Sequence, residues 1–211
     1  MTEQPADAPG EGTPHVSGSA GRLEVITGPM FSGKSTELLR RLRLAQVARK
    51  KTAAFKHASD VRYSDDQIAT HAEQRGWAMG VSTAREILEA WHARGAQVIG
   101  IDEAQFFGEE LIESVEVLLQ RGRRVIVAGL NQDSFGRPFG HMPELLARAD
   151  ALFLTTAVCM VCGDEATKTF RKPGIGSQQV LVGAEQEYEA RCRACWVAGE
   201  RARAGPGDGD F

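Results

Sequence analysis

The sequence predicts an α/β protein: a parallel sheet with helices on both faces, extended by a small cysteine-held unit toward the C-terminus. Three observations carry that expectation. Short apolar runs at 23–27, 52–56, 98–102 and 125–129 alternate with helical periodicities at 38–45, 84–93 and 109–121, the rhythm of β-α units. The first run enters a glycine-bounded stretch, GPMFSGKST from Gly28 to Thr36, that opens a helix. The four cysteines form two C-x-x-C pairs well beyond this pattern.

GPMFSGKST fits G-x-x-x-x-G-K-[ST], with Gly28, Gly33, Lys34 and Ser35 at the required offsets. Such a loop turns successive backbone N–H groups inward around a phosphate, and glycine tolerates the φ/ψ this demands. The run Gly28, Pro29, Met30, Phe31, Ser32, Gly33, Lys34, Ser35 and Thr36 is therefore read as a cradle for the phosphates of a nucleoside triphosphate. Lys34 would reach the β- and γ-phosphates, the Ser35 hydroxyl would ligate Mg²⁺, and the helix N-terminus would add positive potential. A lysine-bearing glycine turn is the plainer alternative.

Leu38, Leu39, Leu42 and Ala45 then recur at helical spacing among arginines, which read as a solvated face. The strand at 52–56 leads into the polar stretch HASDVRYSDDQ, where Asp60 and Arg62 are either ligand contacts or a surface ion pair. The apolar strand Val98–Ile101 ends in Asp102, placed to orient Mg²⁺, and Glu103 follows as a general base or an exposed loop acid. Phe106 and Phe107 favour a partly desolvated setting. After a helix at 109–121 and the strand at 125–129, the segment with Leu130, Phe135 and Phe139 is one wall of an aromatic pocket or a packed loop. In a parallel sheet, ligands sit at the carboxyl ends of the strands, where these residues fall.

The 211 residues suffice for one good core and a small appendage, and 42% hydrophobic with 25% charged residues is ordinary for a globular protein. A formal net charge of −3 gives no general basic character, so no nucleic-acid partner is expected. No apolar run approaches the roughly 20 residues of a membrane helix. Residues 1–20, without an apolar core region, read as a flexible lead and not a secretory signal, and 198–211 as a flexible tail. Between them, 21–150 is expected as the nucleotide-binding domain and 151–197 as the cysteine domain, in a cytoplasmic protein.

Cys159, Cys162, Cys192 and Cys195 give four thiolates with the short bites of a closed, tetrahedral, structural Zn²⁺ site. Disulfides or a redox pair are the other readings. The 29 residues between the knuckles combine Arg171, Lys172, the run Val180, Leu181, Val182 and then Tyr188, which suits a flat heterocycle read at its edge and stacked on its face. A zinc-pinned hairpin that only packs on the main domain would look the same.

Taken together, GPMFSGKST, RYS at 62–64, IDEAQFF at 101–107, GL…PFG at 129–140, AVCMVCG at 157–163 and VLVG…YEARCRAC to Cys195 resemble the cytosolic, zinc-containing, type II thymidine kinases, over about Arg22 to Trp196. The resemblance implies a RecA-like P-loop domain with a zinc-bound lasso, usually in a homotetramer. It implies γ-phosphate transfer from ATP to the 5′-hydroxyl of thymidine or deoxyuridine, with feedback inhibition by dTTP. Position by position, it makes Glu103 the base and sets Lys34, Ser35, Asp102, Gln105, Asp60 and Arg62 at the phosphates and Mg²⁺. Met30, Phe106, Leu130, Phe139 and Thr169 match the base pocket; Tyr188 and the backbone of Val180, Leu181 and Val182 match the lasso; Arg171 matches an arginine of the phosphate region. The chain departs from the family at Gly129–Gly136, where GLNQDSFG replaces the usual G-L-D-x-D-F-R-G. That moves an aromatic by one position and puts an amide at Asn131.

Two other classes share parts of this pattern. A nucleic-acid-coupled ATPase would add a basic stripe and stimulated hydrolysis, and a nucleotide-sensing module would show no turnover.

Overall fold

A computed structural model of the chain describes residues 20–59, 78–173 and 187–204. Six parallel strands form its centre in the order β3-β2-β4-β5-β1-β6. They are β1 (Arg22–Thr27), β2 (Thr52–His57), β3 (Met79–Val81), β4 (Val98–Asp102), β5 (Arg124–Gly129) and β6 (Ala151–Leu154). Strand β4 is buried at every position, as expected where helices cover both faces of a parallel sheet.

The period-2 alternation of the strands sorts their side chains into two cores. Ile26, Val98, Ile126 and Ala128 face α1 (Lys34–Val47) through Leu38, Leu42 and Ala45. Val25, Ile99, Ile101, Val125 and Val127 face the opposite layer. That layer contains α2 (Ala84–Arg94), α3 (Glu110–Gln120) and α4 (Met142–Arg148), so one helix covers one face and three cover the other. Helix α2 is delimited by local chemistry: the Thr83 hydroxyl accepts from Glu86 N–H, and Gly95 turns left-handed at its end. Both α4 and β3 had no counterpart in the periodicity, since seven-residue and three-residue elements are too short to show one.

The cysteine unit comprises the hairpins β7–β8 (Ala157–Val158 and Glu165–Ala166) and β9–β10 (Lys168–Arg171 and Tyr188–Arg191), followed by α5 (Arg193–Ala204). Two boundaries differ from expectation. The apolar run at 151–154 is not the first strand of that unit, because β6 pairs with β1 and extends the main sheet. The expected flexible tail at 198 is helical to Ala204: the gap at Gly199 lets the Phe170 ring approach, and the Arg203 guanidinium lies 4.7 Å from that ring. Small residues and arginines that resemble a disordered composition are here the means of packing a helix on β9. Of the expected lead at 1–20, residues 1–19 lie outside the described residues.

Candidate functional site

The phosphate loop leaves the C-terminal end of β1 and opens α1. Gly33 precedes the helix with φ 78°, a left-handed conformation natural only to glycine, while Phe31 is held at φ 65° with its ring partly exposed. At Gly28 the constraint is space: a Cβ would lie 2.2 Å from the Thr155 carbonyl oxygen. Lys34 is buried and its Nζ donates to the Pro29 carbonyl at 2.6 Å, across the mouth of the loop. Thr36 is exposed in the first turn of α1.

Beside it, β4 ends in two adjacent buried carboxylates. Ser35 hydrogen-bonds Asp102, joining the expected Mg²⁺ ligand to the acid expected to orient the ion. Burial pushes Asp102 up to about 7, the Glu103 charge adds to it, and the hydrogen bonds from Ser35 and Glu103 N–H oppose it with the Lys34 charge. A hydroxyl and buried carboxylates in want of positive charge are a donor set that fits a hard divalent cation. Glu103 itself stands at φ 53°, which swings its side chain out of the strand and starts the 3-10 turn Ala104–Phe106. Its Oε2 accepts from Gln105 Nε2 at 2.5 Å. Gln105, expected near the phosphates, thus spends its amide on Glu103 and on Leu130 N–H, 2.9 Å from its Oε1.

A second cluster lies next to the carboxylates. Met30, Leu130, Phe139 and Tyr188 are buried together, with Phe106 packed against them and edge-on to Phe139 at 5.8 Å. Four of the five residues expected at the base pocket, Met30, Phe106, Leu130 and Phe139, thereby come together with Tyr188, expected from the lasso. Thr169 ties this cluster to the loop, its Oγ1 accepting from Met30 N–H at 3.0 Å. Arg171, matched to a phosphate-region arginine, is buried beside Tyr188 and donates to its hydroxyl at 3.1 Å. Asp60, Arg62, Val180, Leu181 and Val182 lie outside the described residues.

The departing loop has its own logic. Asp133 is buried and its Oδ1 accepts from Phe135 N–H and Arg137 N–H, which closes the turn. Phe135 is not part of the buried cluster, and its ring lies 5.3 Å from Arg171 and 6.0 Å from Arg203. Three residues that motif spacing did not single out hold the assembly. Thr155 Oγ1 shares a hydrogen bond with Ser32 Oγ at 2.8 Å, Trp196 Nε1 donates to the Ser134 and Thr169 carbonyls, and Lys168 reaches Gln132 Oε1. Only the rarity of tryptophan, directly after Cys195, offered a clue.

The four cysteine sulfurs lie within 4.8 Å of one another, and all four thiols are free of disulfides. Sulfurs at 2.3 Å from a tetrahedral centre would stand about 3.8 Å apart, and Cys162 and Cys192 are separated by 3.8 Å. Burial raises Cys159, but backbone hydrogen bonds from Cys192, Cys162 and Val161 outweigh it and bring the thiol to about 6. Hydrogen bonds with Cys192 and Cys162 push Cys195 up to about 12. Such crowding resists four thiolates together unless a cation sits among them, so the cluster fits a metal ion and is compatible with zinc.

The fold and loop define a P-loop nucleotide-binding α/β protein with a cysteine-clustered module at the strand ends. The sequence profile described as thymidine kinase matches residues 21–196. A thymidine kinase of Deinococcus radiodurans is 48% identical over 193 residues, which cover 83% of this chain and 90% of that protein. The chain therefore belongs to the thymidine kinase family. Among the described residues no helix is long and apolar enough to cross a membrane.

Proposed function

We propose that this chain is an ATP-dependent thymidine kinase that transfers the γ-phosphate of ATP to the 5′-hydroxyl of thymidine or deoxyuridine. Family membership supports the activity. The observation that supports the residue roles is the junction at the end of β4, where Glu103 adjoins Asp102, itself hydrogen-bonded by Ser35, and is joined through Gln105 to Leu130 of the apolar cluster.

Phosphoryl transfer requires mainly positioning and charge neutralisation. Loop amides and Lys34 hold the phosphates, and Ser35 and Asp102 are the residues that would hold Mg²⁺, which neutralises phosphate charge when bound. Glu103 accepts the proton of the 5′-hydroxyl and aligns its oxygen. The apolar cluster receives the pyrimidine and excludes water, so that the sugar is the acceptor. Cys159, Cys162, Cys192 and Cys195 would hold a structural Zn²⁺ that fixes β9 and β10, and with them Thr169, Arg171 and Tyr188, against the loop. Inhibition by dTTP, assembly as a homotetramer and a cytoplasmic setting belong to the same reading.

Glu103→Gln is expected to leave ATP and thymidine affinity within about threefold while lowering kcat by roughly 10²-fold or more, the range for loss of a general base. Isothermal titration and a coupled nucleotide assay with Mg·ATP measure the two quantities. Turnover near wild type removes Glu103 from the role.

A further inference from the structure

The geometry points to Gln105 as a positioning residue that holds the Glu103 carboxylate in register with the nucleoside pocket, one amide bridging the base and the backbone of pocket residue Leu130. This inference rests on the proposed role of Glu103.

The orientation of the amide follows from its partners. Leu130 N–H is a donor, so the atom 2.9 Å away must be the carbonyl oxygen of Gln105, which leaves Nε2 to face Glu103 Oε2 at 2.5 Å. Both ends of the side chain are thereby committed in a buried setting, where Gln105 is 3% exposed. The surrounding backbone is cut to fit it. A Cβ on Gly129 would lie 2.9 Å from Gln105 Oε1, and one on Gly140 would lie 2.4 Å from the Gln105 carbonyl oxygen. The left-handed backbone of Glu103 projects it beyond the strand, and Gln105 meets its carboxylate there. Leu130 packs with Met30, Phe139 and Tyr188, so displacement of the amide moves the carboxylate relative to the bound sugar without opening the phosphate loop. A misplacement of about 1 Å at a reacting group costs on the order of 10²-fold in rate.

The test is a double-mutant cycle on the full chain, with Gln105→Met, which keeps length and loses both hydrogen bonds, in wild-type and Glu103→Gln backgrounds. Expected is a 10- to 100-fold fall in kcat for Gln105→Met, with thymidine KM and ATP Kd within about threefold, shrinking to about twofold or less once Glu103 is gone. An equal loss in both backgrounds, or a loss confined to KM, overturns the inference. So does wild-type kcat in Gln105→Met when Glu103→Gln alone is severely impaired. Wild-type turnover in Glu103→Gln would instead strike the parent reading. Should Gln105→Met melt below the assay temperature, Gly129→Ala carries the test. Its methyl displaces the amide oxygen while the flexible Met142 side chain yields, and it must lower kcat only where Glu103 is present.

Discussion

The two regions proposed above to take the phosphates and the nucleoside are built in opposite ways. The phosphate side comes from two short contiguous segments at strand ends, Gly28–Ser35 and Asp102–Glu103, and depends on backbone shape and local charge. The nucleoside side gathers Met30, Phe106, Leu130, Phe139 and Tyr188 from four separate places, the last of them on the cysteine unit. A local motif carries its own geometry, whereas a gathered pocket is only as firm as the packing that gathers it. Damage to the cysteine unit should therefore fall unequally on the two substrates.

Breaking the cluster gives the largest expected effect. Cys192→Ser removes one corner of the four-sulfur cluster, and thymidine KM should rise by on the order of tenfold or more while the affinity for an ATP analogue stays within about threefold. Paired measurements of the two affinities, with metal content read by mass spectrometry, decide it; equal losses for both ligands would dissolve the contrast.

A smaller effect should follow at the seam. Thr155→Val removes the hydrogen bonds of the Thr155 hydroxyl to Ser32 Oγ at 2.8 Å and to the Thr27 carbonyl at 3.0 Å, the first a loss of about 1 kcal/mol at the loop. ATP affinity should drop roughly fivefold and thymidine KM should hold. The reverse pattern would show that the seam serves the nucleoside side.

The control lies below both regions. Glu24 is buried in β1 between Arg41 at 2.5 Å and Arg124 at 2.7 Å. Burial raises its carboxyl, but the two guanidinium hydrogen bonds and charges prevail and hold it below the ordinary 4.5. A depressed carboxylate contributes stability that is present above its unfolded value and lost as pH falls through the folded value. Glu24→Gln should therefore lower stability at pH 7 by about 2–3 kcal/mol, a figure tempered by the partial exposure of Arg124, and thermal melts of the two proteins should converge as pH falls through the depressed value of the Glu24 carboxyl. Both KM values should be unchanged, which makes this the smallest effect on function.

The loop, the acids of β4 and the four cysteines were legible because phosphate, divalent cations and tetrahedral metals each impose residue types at fixed short spacings. The parallel sheet was legible because burial on both faces writes continuous apolar runs. Helix α4 and strand β3 were not, being too short to repeat their periods often enough to reveal them, and β6 was assigned to the cysteine unit because an edge strand does not announce its partner. Family resemblance set Gln105 beside the phosphates, although its hydrogen bonds reach Glu103 and a residue 25 positions away.

The sequence by itself determined the chemistry available to this protein, since a nine-residue loop and two C-x-x-C pairs act through bonds spanning a few residues. Only the tertiary structure decided how those parts face one another. That Thr155 and Thr169 clamp the phosphate loop, that Phe135 packs beside arginines, and that Gln105 joins the end of β4 to Leu130 all depend on contacts 20 to 140 positions apart. No local pattern encodes such contacts, because they exist only once two cores have closed around the sheet.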